Sequence, residues 1–238
     1  MQQAFTLVVQ AGTPPVVQIT GLPDIIAPAQ QPVFDLQLSS AYPSPITGTI
    51  TLAFTPDPDV KVSDPAIQFA TGGRTLNFSV PANSTKVTFA APIAALQTGT
   101  VAGTIQLTAK LLSNGAEITQ NPAPQRSTRV DRLAPKITSM TAVKTAAGFE
   151  VRIIGYSTTR DVTQGTFHVV FSNGTSADAT VTLADSARAW FSDAASSPFG
   201  GQFSLTQPFS LQGQGALTSV SVTLTNGQGA SAAVSANF

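Results

Sequence analysis

The chain has no cysteine, so neither a disulfide nor a thiolate nucleophile is open to it. It has a single histidine, His168, and with no cysteine beside it a zinc site is excluded for want of ligands. Charge is scarce too. Twelve lysines and arginines balance twelve aspartates and glutamates in 238 residues, and the formal net charge is zero. A neutral chain lacks the basic field that gathers nucleic acid or an anionic surface, so neither is expected as a partner. No apolar run approaches the ~20 residues of a spanning helix, and membrane insertion is not expected. The opening residues, MQQAFTLVVQAGTPP, lack the charged start of a signal peptide. If the protein is exported, its signal has been removed. No glycine-rich phosphate loop or dinucleotide fingerprint is present, and no cofactor is implied.

What the chain has in plenty is short alternating strands with turns between them. Phe34, Leu36 and Leu38 share one face, and so do Ile50, Leu52 and Phe54. Leu76, Phe78 and Val80 repeat the pattern, and Val101, Ile105, Leu107 and Leu111 follow. Asn114-Gly115 reads as a hairpin turn, because such turns need positive φ. No helix-length segment of period 3.6 lies between these strands. That favours an antiparallel sandwich over βαβ units.

Residues 121–136, NPAPQRSTRVDRLAPK, then interrupt the pattern. Pro122, Pro124 and Pro135 stiffen the segment, and one last strand fits between Arg126 and Leu133. Cations gather around it: Lys110, Arg126, Arg129, Arg132, Lys136, Lys144, Arg152 and Arg160. A solvated junction with ion pairs accounts for them; an anionic partner is the alternative.

Strands restart at Lys136. Phe149, Val151 and Ile153 alternate, as do Phe167, Val169 and Phe171, with Asn173-Gly174 as a turn. The period changes once. Over Asp185 to Ser196, residues Ala187, Trp190, Phe191, Ala194 and Ala195 fall on one helical face, with Asp185 or Ser186 as cap. Strands resume at Phe203 and Leu205, and Pro208 marks an edge or a bulge. Val220, Val222 and Leu224, then Asn226-Gly227, form the closing hairpin.

The pattern predicts an all-β chain of two tandem antiparallel Ig-like β-sandwiches, with a short helix in the second. Residues 1–12 form an N-terminal strand extension, 13–134 the first sandwich and 135–238 the second. Each sandwich has about a hundred residues, enough for its own core.

Three stretches in the first module, Ile46 to Leu52, Phe78 to Ser84 and Gly99 to Ile105, together with Ser219 to Gly227 in the second, carry a family likeness. They resemble the Ig-like and Calx-beta-like repeats of bacterial secreted and cell-surface proteins. The resemblance implies a non-catalytic spacer, adhesin stalk or filament subunit, placed outside the cell. Its implied partners are neighbouring copies or adjacent Ig-like repeats of the same protein. A carbohydrate-binding module of a secreted enzyme is the alternative, with a surface glycan as partner.

Several residues are candidates for chemistry. His168 lies opposite Phe167 and Val169 on its strand, so it faces outward; no nucleophile elbow surrounds any serine. Asp57, Asp59 and Asp64 are the one carboxylate cluster and the calcium candidate the resemblance points to, but Lys61 intrudes and a hard cation wants six or more oxygens. Trp190 and Tyr156 are the glycan candidates, against which stands burial of Trp190 in a core. Phe5, Leu7 and Val9, alternating in residues 4–10, are candidates for an assembly strand. In tandem Ig-like proteins such a segment closes a preceding repeat, and no such repeat stands before it here. It is expected to pair along its own module or to add to a neighbouring subunit, a disordered leftover being the third alternative.

Overall fold

A computed structural model describes residues 12–60, 62–211 and 216–238. The chain is an all-β protein of two Ig-like sandwiches in tandem, with one short helix in the second. In the first, β1 (Val17–Thr20) pairs with β3 (Asp35–Leu38), and β5 (Gln68–Phe69) with β8 (Leu96–Gln97). A bridge between Val33 and Ala95 joins these pairs into one thin layer. The facing sheet is larger. Its order is β2 (Ile25–Ile26), β11 (Gln125–Val130), β9 (Gly103–Ser113), β4 (Ile46–Pro56), β6 (Thr75–Val80), β7 (Thr88–Phe89), with β10 (Ala116–Glu117) folded back on β9. Every pairing is antiparallel except β2 on β11, where Ile25 and Ile26 run beside Arg129 and Val130 in parallel.

Alternation explains the packing. Ile50 and Leu52 on β4, Leu76 and Phe78 on β6, and Ile105 and Leu107 on β9 point inward and are buried. They meet Val17, Ile19, Phe34, Leu36, Phe69 and Leu96 from the thin layer. Each such side chain contributes about 1.5–3 kcal/mol when fully buried. The β9–β10 turn is Asn114-Gly115, with both residues at positive φ, as a two-residue hairpin of this kind requires.

The second sandwich sets a three-stranded sheet against a five-stranded one. The first holds β12 (Lys136–Thr145), β13 (Gly148–Tyr156) and β16 (Gln202–Ser210) in that order. The second runs β15 (Ser176–Thr182), β14 (Gln164–Phe171), β17 (Leu217–Asn226), the last pairing with both β18 (Gly229–Ala230) and β19 (Val234–Asn237). Phe149, Val151, Phe167, Val220 and Val222 form its centre. Phe209 stacks on Phe149 with ring centres 4.7 Å apart, and Phe238 meets Phe149 edge-on at 5.2 Å. The first core ends at Val130 and the second begins at Ile137.

Helix α1 (Ala184–Ser192) crosses from β15 toward β16 and is followed by a 3-10 turn, Ser197–Phe199. It differs from the sequence expectation in two ways. No side chain caps its start, and Asp185 in the first turn instead takes Arg188 at 2.8 Å. Only Ala187 and Phe191 of the expected face are buried; Ala194 and Ala195 lie past the helix end and are exposed. The last strand of the first sandwich, β11, stops at Val130 rather than Leu133.

Candidate functional site: the interdomain joint and the cleft beside it

The joint is built from loops at facing ends of the two sandwiches. On the first side stand the loop after β4, holding Asp57 to Asp64, and the segment before β9, holding Thr98 to Ala102. On the second stand Ser157 to Asp161, Gly200 and Gly201, and Asn226.

Asp64 is its centre. Its side chain is 0% exposed. One carboxylate oxygen accepts the Ala66 N–H at 2.9 Å; the other accepts the Thr100 N–H at 2.6 Å and the Thr100 hydroxyl at 3.3 Å. Glycines close over it from both domains. A Cβ on Gly99 or on Gly200 would stand 2.5 Å from Asp64 Oδ2, and both glycines sit near φ +63°. No other residue combines that backbone with that clearance.

Hydrogen bonds then cross directly between domains. The Gly201 N–H donates to the Thr100 hydroxyl at 2.9 Å, and the Ala102 N–H donates to the Thr158 carbonyl at 2.8 Å. The linker is held as well. Leu133 N–H donates to Thr158 Oγ1 at 2.8 Å, while Asn226 Nδ2 donates to the Leu133 carbonyl and to Thr159 Oγ1, each at 3.0 Å. Arg160, at positive φ, donates to the carbonyls of Gly200 and Phe191 and lies 5.1 Å over the Phe191 ring. Burial lowers the Arg160 pKa, and the charge of Asp64 across the joint pulls it the other way.

A second cluster flanks this one. Asp57 accepts from Arg129 at 2.8 Å and from Arg132 at 2.7 Å; Arg132 also reaches Asp59 at 2.8 Å, and Arg129 reaches Asp131 at 3.0 Å. Burial raises the Asp57 pKa, but the hydrogen bonds and charges of the two arginines together outweigh it and leave the carboxyl below its usual range. The cations near the junction thus include an ion-pair lattice with the acids of the loop after β4.

The three aspartates of the calcium candidate are held apart in this geometry. Asp57 and Asp59 are turned to arginines, and Asp64 is turned away to backbone amides. Among the described residues no three acidic, histidine or cysteine side chains converge. The glycan pair is also not brought together. Tyr156 is only 7% exposed at the end of β13 and offers no face to a sugar. Trp190 is on α1 as expected but is half-buried, with Nε1 donating to the Gln202 carbonyl at 2.8 Å. It lines a cleft of about 600 Å³ with Leu183, Ala189, Phe199, Leu205 and Thr206. Phe199 is 54% exposed there.

His168 faces outward, its Nδ1 2.7 Å from Asp178 on the neighbouring strand. Ser221 is its cross-strand partner on the other side. The three form a row across an open sheet face, with Ser221 inside strand β17 rather than on a nucleophile elbow. Phe5, Leu7 and Val9 lie outside the described residues.

Sequence reasoning missed Thr100, Gly200 and Phe199, and placed Arg160 only among the cations of the junction. The one signal was the Gly200-Gly201 pair after Phe199, where a chain makes a tight approach.

Comparison with protein-family models gives no match, and comparison with curated protein sequences gives none. Among solved structures the chain aligns with a two-domain fibronectin type III segment of chicken tenascin, at 9% identity and a TM-score of 0.32, over 94% of this chain and 98% of that one. It also aligns with the FN1–FN3 domains of chicken CNTN1, at 10% identity and a TM-score of 0.27, over 95% of this chain and 68% of that one. Superpositions this loose carry no argument about function.

Proposed function

We propose that the chain is a non-catalytic structural unit of an extracellular protein: a spacer, adhesin stalk or filament subunit, of the bacterial surface type that its strand and turn sequences resemble. One observation carries the reading. The joint locks two sandwiches end to end through a buried carboxylate, direct backbone bonds and a held linker. A flexible bead pair needs none of this, whereas a spacer that sets a distance needs all of it. Small-angle X-ray scattering tests it. The whole chain should scatter as one elongated particle of fixed shape; a profile that only a broad ensemble of interdomain angles fits would overturn the reading.

Carbohydrate binding is the second reading, and Trp190 and Phe199 in one cleft favour it. Titration with soluble oligosaccharides, read through the fluorescence of the single tryptophan, separates the two. A spacer gives no saturable change.

A further inference from the structure

The cleft beside α1 is also the free edge of a sheet. Strand β16 pairs with β13 on one side and has no strand on the other among the described residues. Its carbonyl at Gln202 accepts from Trp190, so that residue's backbone groups turn away from β13. Backbone direction alternates along an antiparallel strand, so Ser204 and Thr206 turn the same way. Pro208 falls in step, where its missing N–H loses no ladder bond. Ser204 and Thr206 therefore present two N–H and two C=O groups to the cleft. Edges are usually blunted by charge. The other edge of this sheet, β12, carries Lys136 and Lys144, but β16 reads QFSLTQPFS and carries none. Beside this bare edge lie Trp190 and the half-exposed ring of Phe199, an apolar floor without a cover.

We infer that this groove accepts residues 4–10 of a second copy of the chain, which add to β16 as an extra strand. The inference rests on the assembly form of the proposed function and names its contact. The segment AFTLVVQ fits the groove chemically. It has no charge and no proline, and Phe5, Leu7 and Val9 alternate onto one face, where the apolar floor receives them. Geometry makes the donor another molecule. Gly12 packs on Tyr42 and Pro43, just before β4 begins. β4 then runs eleven residues to Pro56, beside the joint, a length of about 33–37 Å. The groove lies beyond that joint. Val9 is three residues from Gly12, a reach of at most about 11 Å. A segment leaving the far end of one molecule thus meets the groove of the next. Such a head-to-tail contact does not close on itself, so it builds a filament.

Complementation of two full-length variants tests this. Phe5→Asp with Leu7→Asp disables the donor and leaves the groove intact. Thr206→Pro removes an outward N–H and leaves the β13 ladder intact; Phe199→Lys is the second groove variant, should the first fail to fold by circular dichroism. Light scattering should show wild type growing with concentration, each variant alone as a monomer, and the equimolar mixture stopping at twice the monomer mass. Donor and groove variants that assemble as wild type does would overturn the inference while leaving assembly standing. A wild-type chain that stays monomeric at every concentration would overturn both. An oligosaccharide that shifts Trp190 fluorescence saturably, with an equimolar mixture that stays monomeric, would give the groove to sugar and overturn it as well.

Discussion

A carboxylate with no solvent contact has to be answered by donors, and Asp64 is answered by two amides and a hydroxyl. Replacing it with alanine strands those donors inside the joint, so Asp64→Ala should destabilise the protein by about 2–4 kcal/mol. Urea unfolding measures this, and a change under half a kilocalorie would mean that water enters and replaces the carboxylate. Gly200→Ala tests the other wall. The new Cβ would fall 2.5 Å from Asp64 Oδ2 at a φ of +64°, and a loss of about 1–3 kcal/mol is expected for backbone strain alone. Asp57 makes a prediction in pH. Burial raises its pKa, the two arginines together lower it by more, and the net shift is downward. A carboxyl lowered in the folded state stabilises the protein at pH above its unfolded value, about 3.9. That stability is lost as pH falls through the folded value. Wild type should therefore lose melting temperature below about pH 4 more steeply than Asp57→Asn. Parallel curves would show that the arginines hold the loop without the charge.

At the scale of elements, helix α1 is the part whose worth the sequence overstates. A tryptophan on an alanine-lined face suggests a core residue and a loss of about 3–5 kcal/mol on truncation. In the fold Trp190 is only half-buried and lines the cleft. Trp190→Ala should therefore cost about 1–3 kcal/mol, the sum of a partial burial and one hydrogen bond to Gln202. Thermal unfolding decides between the two magnitudes. The strands were legible because their signals are local. Ile50 and Leu52, or Phe167 and Val169, announce an inward face through neighbours two positions away, and Asn114-Gly115 announces its own turn. The joint was not legible, because its partners are distant. Asp57 meets Arg129 and Arg132, which follow it by 72 and 75 positions, so the loop reads as a cation site when it stands alone. Thr100 and Gly201 meet across 101 positions, and neither carries a pattern that points to the other. β2 has two residues, too few to show any period.

Taken whole, the molecule is two sandwiches in tandem, and the stiffness of their joint depends on a few polar atoms. Asp64→Ala should loosen the angle before it unfolds either domain, so its scattering profile should broaden under conditions where circular dichroism is unchanged. Preservation of the wild-type profile would shift the stiffness to the linker bonds of Leu133 and Asn226. The parallel contact of β2 with β11 has a consequence for such a tandem when it is stretched. The chain enters the first sandwich at the far end, near Gly12, and leaves it at the joint through Val130. Tension applied between those points draws β2 and β11 past each other along their length. The Arg129 N–H bond to the Asp24 carbonyl and the Arg126 bonds to Leu22 and Asp24 are then loaded together rather than opened one at a time. The first sandwich should resist pulling more strongly than its equilibrium stability suggests. In single-molecule force spectroscopy, Arg126→Ala should lower its rupture force by a larger fraction than it lowers the melting temperature; equal fractions would mean that the load runs through other strands.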